Sequence, residues 1–209
     1  LDRDLATAQR GRVTVEAALQ VDVRKGRRTA AWLEQVMARI TAAPSAAALA
    51  SCELVIEAVL EDPLLKAQII RTVEAHLPSD AIFASNTSAL PIGDLAQASA
   101  RPDRMIGLHF FSPVQRMALV EVVVGRQTSA VTLAHALDFV RQIGKTPIVV
   151  GDGHGFYTTR CVEAFIREGL RLLAEGVAPA LIENSATALG MAIGPLALAD
   201  EVGIDVLYH

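Results

Sequence analysis

"CELVIEAVLEDPLLKAQIIRTVEAHLPSDAIFAS", residues 52–85, decides the fold class. "CELVIEAVL" is an apolar run of strand length. "DPLLKAQIIRTVEAHL" reads as a helix with Asp62 as N-cap and Pro63 in the first turn, where its missing N–H costs nothing. "AIFAS" is a second apolar run. Strand, helix, strand predicts two parallel strands joined by a crossover helix. Working outward, "PIGDLAQAS" is a short helix, and "RMIGLHFF" and "LVEVVVG" are further strands. "SAVTLAHALDFVRQIG" is a helix and "TPIVVG" a fifth strand. On the N-terminal side, residues 5–20 form a helix weakened by Gly11. "VRKGRR" is a basic loop, and "TAAWLEQVMARI" is a helix with Trp32, Leu33, Val36, Met37 and Ile40 on one face. After Gly155 the pattern changes to consecutive helices with no strand between them. The expectation is an α/β domain over residues 1–150 and an all-α domain over residues 151–209, with "GDGHG" as the turn between them.

Composition bounds the function. The chain has 209 residues, 52% hydrophobic and 20% charged, with net charge −4. That is a globular composition, and it argues against wholesale nucleic-acid binding. Cys52 and Cys161 form no C-x-x-C pair, so neither a disulfide framework nor a metal site is expected. No apolar run reaches the length of a membrane span.

Ligands of doubly wound sheets bind beyond the carboxyl ends of the strands. "SNTS" follows the second strand and delivers Ser88 there; alone, it reads equally well as a turn and helix cap. His109 ends the third strand. Glu121 lies near the start of the fourth, and an antiparallel pairing would bring it back to His109. A carboxylate beside a histidine fixes its tautomer and favours its charged form, the arrangement of a general base. Each residue by itself reads more blandly as structural; their convergence on one edge is what points to a site. "LDRD" suits the acidic end of a dinucleotide-binding strand, but no G-x-G-x-x-G accompanies it. The spacing of "GDGHG" is wrong for that fingerprint.

The segments "ELVIEAVLED", "IFASNTSALPI", "IGLHFFSPVQRMALVEVVVG", "GKTPIVV", "GFYTTR" and "DEVGIDV" occur in order. Together they resemble the 3-hydroxyacyl-CoA dehydrogenase region of fatty-acid β-oxidation enzymes, most closely the multifunctional, trifunctional-like α-subunits. The resemblance implies a Rossmann-type NAD-binding domain and a helical domain that shapes an acyl-CoA site. His109 is then the base, Glu121 its partner and Ser88 the residue touching both substrate hydroxyl and nicotinamide. It assigns Asp2, Glu61, Lys66 and Ser112 to the cofactor as well. Thr159 falls on the substrate side, at a position where many members have asparagine. Ser112 likewise stands where many members have asparagine, and His154 replaces a proline. Apart from the resemblance, the basic loop, through Lys25, reads either as a contact to the phosphates of CoA or, equally well, as a solvated loop.

The resemblance also implies an oligomer or a complex with a thiolase subunit. The setting is the cytoplasm of a bacterium or the mitochondrial matrix of a eukaryote. It further implies a piece truncated at both ends: a first strand and glycine loop upstream of Leu1, and more helical domain beyond His209. Taken alone such a piece would be inactive. A non-catalytic remnant of the fold and a short-chain 3-hydroxybutyryl-CoA dehydrogenase remain as alternatives.

Overall fold

The structure, a computed structural model, describes residues 1–202. The continuation of the last helix expected through "GIDVLYH" lies outside the described residues, as does the end of the "DEVGIDV" motif. In chain order the elements are α1 (Leu5–Arg24), α2 (Ala30–Met37), β1 (Leu54–Glu57), α3 (Pro63–Glu74), β2 (Ile82–Ser85) and α4 (Ile92–Leu95). There follow β3 (Met105–Phe110), β4 (Leu119–Val124), α5 (Ala130–Gln142), β5 (Thr146–Gly151), α6 (Thr158–Ala174), α7 (Pro179–Ala188) and α8 (Pro195–Val202). The strands form one sheet in the order β1-β2-β3-β4-β5. All neighbouring pairs are parallel except β3–β4, which is antiparallel and sets His109 opposite Glu121. This is the Rossmann-type α/β arrangement expected, followed among the described residues by helices alone.

Side chains alternate between the two faces of each strand. Phe83, Met105 and Val123 pack on one face beneath Ile70 and Val73 of α3, Ile92 and Leu95 of α4, and Phe156. Ile82, Ala84, Ile106, Leu108, Val120 and Val122 pack on the other against Ala136 and Val140 of α5. Each such large apolar side chain contributes about 1.5–3 kcal/mol on burial. Asp62 caps α3 as expected, its carboxylate accepting the Leu65 N–H at 2.8 Å.

Two boundaries differ from expectation. β1 stops at Glu57 rather than Leu60, because the Glu57 carboxylate accepts the Val59 N–H at 3.1 Å and bends the chain away. Helix α1 runs to Arg24, into the expected basic loop, since the Lys25 N–H still reaches the Val21 carbonyl; Gly26, at φ +68°, then ends it. Arg12 of α1 ties this hairpin together by donating to the carbonyls of Met37 and Ile40 at the end of α2. In and after α2 the anticipated face holds: Met37 is buried, and Trp32, Leu33, Val36 and Ile40 are half-buried.

The chain leaves β5 through Asp152, whose carboxylate accepts the N–H groups of Ile92 and Gly93 at the start of α4. Gly155 (φ +70°) and Phe156 (φ 50°) then turn it into α6. Further on, α8 begins against α6 at Gly169, where an added Cβ would lie 2.4 Å from Pro195 Cγ. Glu183 of α7 accepts the Leu196 N–H at 2.8 Å, capping α8.

Gly107 in β3 is what lets α4 lie against the sheet. A Cβ there would meet Val123 Cβ at 2.7 Å and Ile92 Cδ1 at 2.9 Å, whereas a Cβ on Gly11 in α1 meets nothing within 4 Å. Gly107→Ala is therefore expected to cost about 1–3 kcal/mol from overpacking. Gly11→Ala should stabilise by about 0.5–1 kcal/mol. Urea midpoints of the two variants check this; equal effects would contradict the packing at Gly107.

Candidate active site

His109 and Glu121 meet across β3 and β4, with Nδ1 and Oε2 2.7 Å apart. Glu121 is fully buried and His109 nearly so. The carboxylate takes more than this one bond. Its Oε1 accepts the N–H groups of Tyr157 at 3.1 Å and Thr158 at 2.8 Å. Its Oε2 also accepts the Thr158 hydroxyl at 2.8 Å. Burial pushes the Glu121 carboxyl up, but the Thr158 amide, His109, the Thr158 hydroxyl and the Tyr157 amide outweigh it and hold it below the usual glutamate range. An ionised carboxylate only accepts, so the proton on Nδ1 belongs to the imidazole. In the neutral ring, Nε2 then carries the lone pair. Nε2 has no partner among the described residues, and no buried side-chain nitrogen or oxygen there lacks one, so Nε2 opens to the surface. The rings of Phe111 and Phe156 flank the imidazole, at centroid distances of 4.5 and 6.0 Å.

The "SNTS" turn is held by a second carboxylate. Glu61 accepts the Thr87 hydroxyl and the N–H groups of Ser88 at 3.0 Å and Ala89 at 3.1 Å. Asn86 joins the ends of β2 and β3 by accepting the Phe110 N–H at 2.9 Å. Ser88 is exposed, and its hydroxyl has no partner among the described residues. Its carbonyl accepts the Thr159 hydroxyl at 3.1 Å. Consecutive residues of α6, Thr158 and Thr159, thus bind Glu121 and Ser88 respectively, bringing the turn and the histidine pair to one place.

Behind Glu61 lies a buried ion pair. Lys66 has no exposed surface; its ammonium is 3.0 Å from Glu57 and 3.4 Å from Glu61. The Ser85 hydroxyl also donates to Glu57. Lys66 was expected to line the cofactor site. The structure buries it completely, behind the partly exposed Glu61 carboxylate.

The remaining expected residues lie outside this network. Asp2 is exposed at the start of the chain, accepting the N–H of Arg3 at 2.7 Å. Lys25 is exposed at the end of α1, and Ser112 is exposed in the loop after β3. Sequence reasoning missed Thr158, the Tyr157 amide, Glu57 and Ser85. For Glu57 and Ser85 a signal existed: they stand in register on adjacent strands and point to the same face. For Thr158 there was none, because its contact crosses from one part of the fold to the other.

Burial pushes the Glu61 carboxyl up, but the Thr87 hydroxyl, the Lys66 charge and the two amides hold it below the usual range. A depressed carboxyl stabilises the fold above its unfolded value of about 4.3. That contribution is lost as pH falls through the lower, folded value. The gap in urea midpoint between wild type and Glu61→Gln is thus expected to be constant above about pH 5 and to shrink below it. A gap that stays constant down to acid unfolding would contradict this.

Residues 1–153 match the family model "3-hydroxyacyl-CoA dehydrogenase, NAD binding domain", and residues 155–209 match "3-hydroxyacyl-CoA dehydrogenase, C-terminal domain". The fatty acid oxidation complex subunit alpha of Shewanella halifaxensis is 43% identical over 188 residues, 90% of this chain and 27% of that protein. Its counterpart in Shewanella oneidensis is equally similar over the same shares. The chain therefore spans about a quarter of the length of these curated relatives. Among solved structures, (S)-3-hydroxybutyryl-CoA dehydrogenase from Ralstonia eutropha matches with a TM-score of 0.96 and 38% identity, over 100% of this chain and 74% of that one. The 3-hydroxybutyryl-CoA dehydrogenase from Escherichia coli matches with a TM-score of 0.94 and 32% identity, over 99% of this chain and 44% of that one. Matched from end to end by both domain models of one family, and closely superimposable on solved relatives, the chain belongs to the 3-hydroxyacyl-CoA dehydrogenase family.

Proposed function

We propose that the enzyme carrying this chain oxidises a 3-hydroxyacyl-CoA to the 3-ketoacyl-CoA with NAD, in fatty-acid β-oxidation. The observation that carries the reading is the 2.7 Å bond from His109 to a buried, ionised Glu121, which leaves Nε2 open beside the Ser88 turn. His109 Nε2 takes the proton of the substrate 3-hydroxyl. Glu121 keeps Nδ1–H in place and stabilises the imidazolium as it forms. The Ser88 hydroxyl orients the reacting oxygen. Bound NAD would supply the acceptor for the hydride from C3. The donor set fits such a cofactor: Asp2 offers an exposed carboxylate to ribose hydroxyls, Glu61 is partly exposed, and Ser88 and Ser112 present hydroxyls on the surface. Lys66 supports this side by holding Glu61, and Thr159 supports the substrate side by holding the Ser88 carbonyl.

In this reading the cofactor domain ends near residue 150 and the helical, acyl-CoA domain begins at 151. No helix among the described residues is long and apolar enough to cross a membrane. The relatives named as parts of a fatty acid oxidation complex support assembly into a multienzyme complex, with a thiolase subunit as the partner consuming the 3-ketoacyl-CoA. The setting is then the cytoplasm of a bacterium, or the mitochondrial matrix if the source is eukaryotic. Similarity to two 3-hydroxybutyryl-CoA dehydrogenases favours a short-chain substrate as the second reading. A series of acyl chain lengths separates the two.

His109→Gln is expected to lower kcat by about 10²–10⁴-fold, the range of general acid–base catalysis, with NAD affinity nearly unchanged. NADH formation and calorimetric titration measure the two quantities; wild-type turnover in the variant would remove His109 from the mechanism.

In the basic loop, Arg27 is paired with Asp22 and Arg28 lies over the Trp32 ring. Arg24 and Lys25 are exposed with no such partner among the described residues, and Lys25 is the group we assign to the CoA phosphates. Lys25→Ala should raise KM for acyl-CoA and flatten its salt dependence, leaving KM for NAD unchanged. No change in either acyl-CoA quantity would end that assignment.

A further inference from the structure

Thr158 opens α6, and the residue before it, Tyr157, supplies no side-chain cap. The Thr158 hydroxyl does not turn back on its own helix. It donates to Glu121 Oε2 at 2.8 Å, the same oxygen that faces His109 Nδ1 at 2.7 Å. The other oxygen, Oε1, is bonded by two backbone N–H groups. The carboxylate therefore holds four hydrogen bonds, two on each oxygen. We infer that Thr158 is a positioning residue of the reaction, its hydroxyl fixing the Glu121 carboxylate in the orientation that holds His109 Nδ1.

The inference rests on the dehydrogenase reading above and adds a residue to it. The physical reason is the softness of the terminal carboxylate torsion, which has broad rather than staggered minima. Two amides on Oε1 leave the plane free to tilt. A second donor on Oε2 removes that freedom. The imidazole then meets one lone pair in one direction. Among the described residues, His109 is the only titratable side chain bonded to Glu121. The side chains of Tyr157, just before α6, and of Arg160 and Glu61 make no bond to Glu121 among the described residues. The Thr158 backbone N–H bond survives any side-chain change, so substitution tests the hydroxyl by itself.

The test uses the full-length enzyme and four variants: Thr158→Val, Thr158→Ser, Glu121→Ala, and the double variant Glu121→Ala with Thr158→Val. Thr158→Val is expected to lower kcat by about ten- to a hundredfold, the weight of one hydrogen bond to a charged group. KM for NAD should stay within about twofold, since no cofactor contact is lost. The acidic limb of the kcat profile should move, and the Nδ1–H proton resonance of His109 should shift. Thr158→Ser, which keeps the hydroxyl, should rescue most of the loss. In the Glu121→Ala background, Thr158→Val should have no further effect, because the two act as one unit. Should Thr158→Val not fold, Thr158→Ala carries the same expectation. Wild-type kcat and pH profile in the hydroxyl-less variant would overturn the inference. So would a serine variant as impaired as the valine one, or an undiminished loss in the Glu121→Ala background. If the wild-type enzyme oxidises no 3-hydroxyacyl-CoA, the dehydrogenase reading fails instead. The Nδ1–H resonance then still decides whether Thr158 orients Glu121.

Discussion

The buried carboxylate of Glu121 constrains the rest of the structure. An ion without partners in a protein interior costs several kcal/mol. Glu121 escapes that cost through four donors: one from β3, one from Tyr157 just before α6 and two from Thr158, the first residue of α6. The requirement is reciprocal. The first N–H groups of a helix have no partners inside it, and α6 lacks a side-chain cap of its own. Glu121 is that cap, supplied by the sheet. The helical part of the chain is thus docked where both sides satisfy their polar groups at once. The left-handed backbone at Gly155 and Phe156 is the turn that allows it.

A second carboxylate system stands at the other side of the Ser88 turn. Lys66 and Glu57 form an ion pair out of water, bridged to β2 by Ser85. Such pairs add little net stability compared with apolar packing, because desolvation offsets attraction. They are demanding in geometry, however. Lys66 also draws Glu61 inward, and Glu61 binds the amides of Ser88 and Ala89. The order of dependence runs from the sheet edge outward: Glu57 places Lys66, Lys66 places Glu61, and Glu61 places the backbone of the serine turn.

Local signals carried the fold and the heart of the site in the sequence. Apolar runs of strand length, an Asp-Pro helix start and the loss of strands after residue 151 are short-range features, and they were legible. The pairing of His109 with Glu121 was also legible, because an antiparallel return of β4 is the one geometry that brings an inward Glu to an inward His. What stayed hidden was whatever depends on distant docking. Thr158 looks like any threonine at a helix start; its role exists only once α6 meets β4. Lys66 sits in a helix whose sequence does not say how deeply that face is buried. The end of β1 at Glu57 turned on one side chain capping the backbone two residues on, which an apolar run through Leu60 conceals.

The pattern of satisfied groups argues for a prepared site. Around Ser88 and His109 nearly every polar atom is bonded within the protein. Glu121 accepts four bonds, and Glu61 binds a hydroxyl, two amides and an ammonium. The Ser88 carbonyl receives Thr159. Among Glu121, Glu61, Thr159, Ser88 and His109, two side-chain atoms have no partner among the described residues, Ser88 Oγ and His109 Nε2, and both reach the surface. Buried polar groups of a fold are normally paired, so unpaired atoms are free to bind from outside. A hydroxyl and a lone pair held by rigid neighbours need no reorganisation when a substrate hydroxyl arrives, and such preorganisation is where an enzyme site gains its rate. The bonded atoms are fixed by the fold, and under the proposed dehydrogenase reading the two unbonded ones are the pair an alcohol oxidation would use: one to orient the oxygen, the other to take its proton.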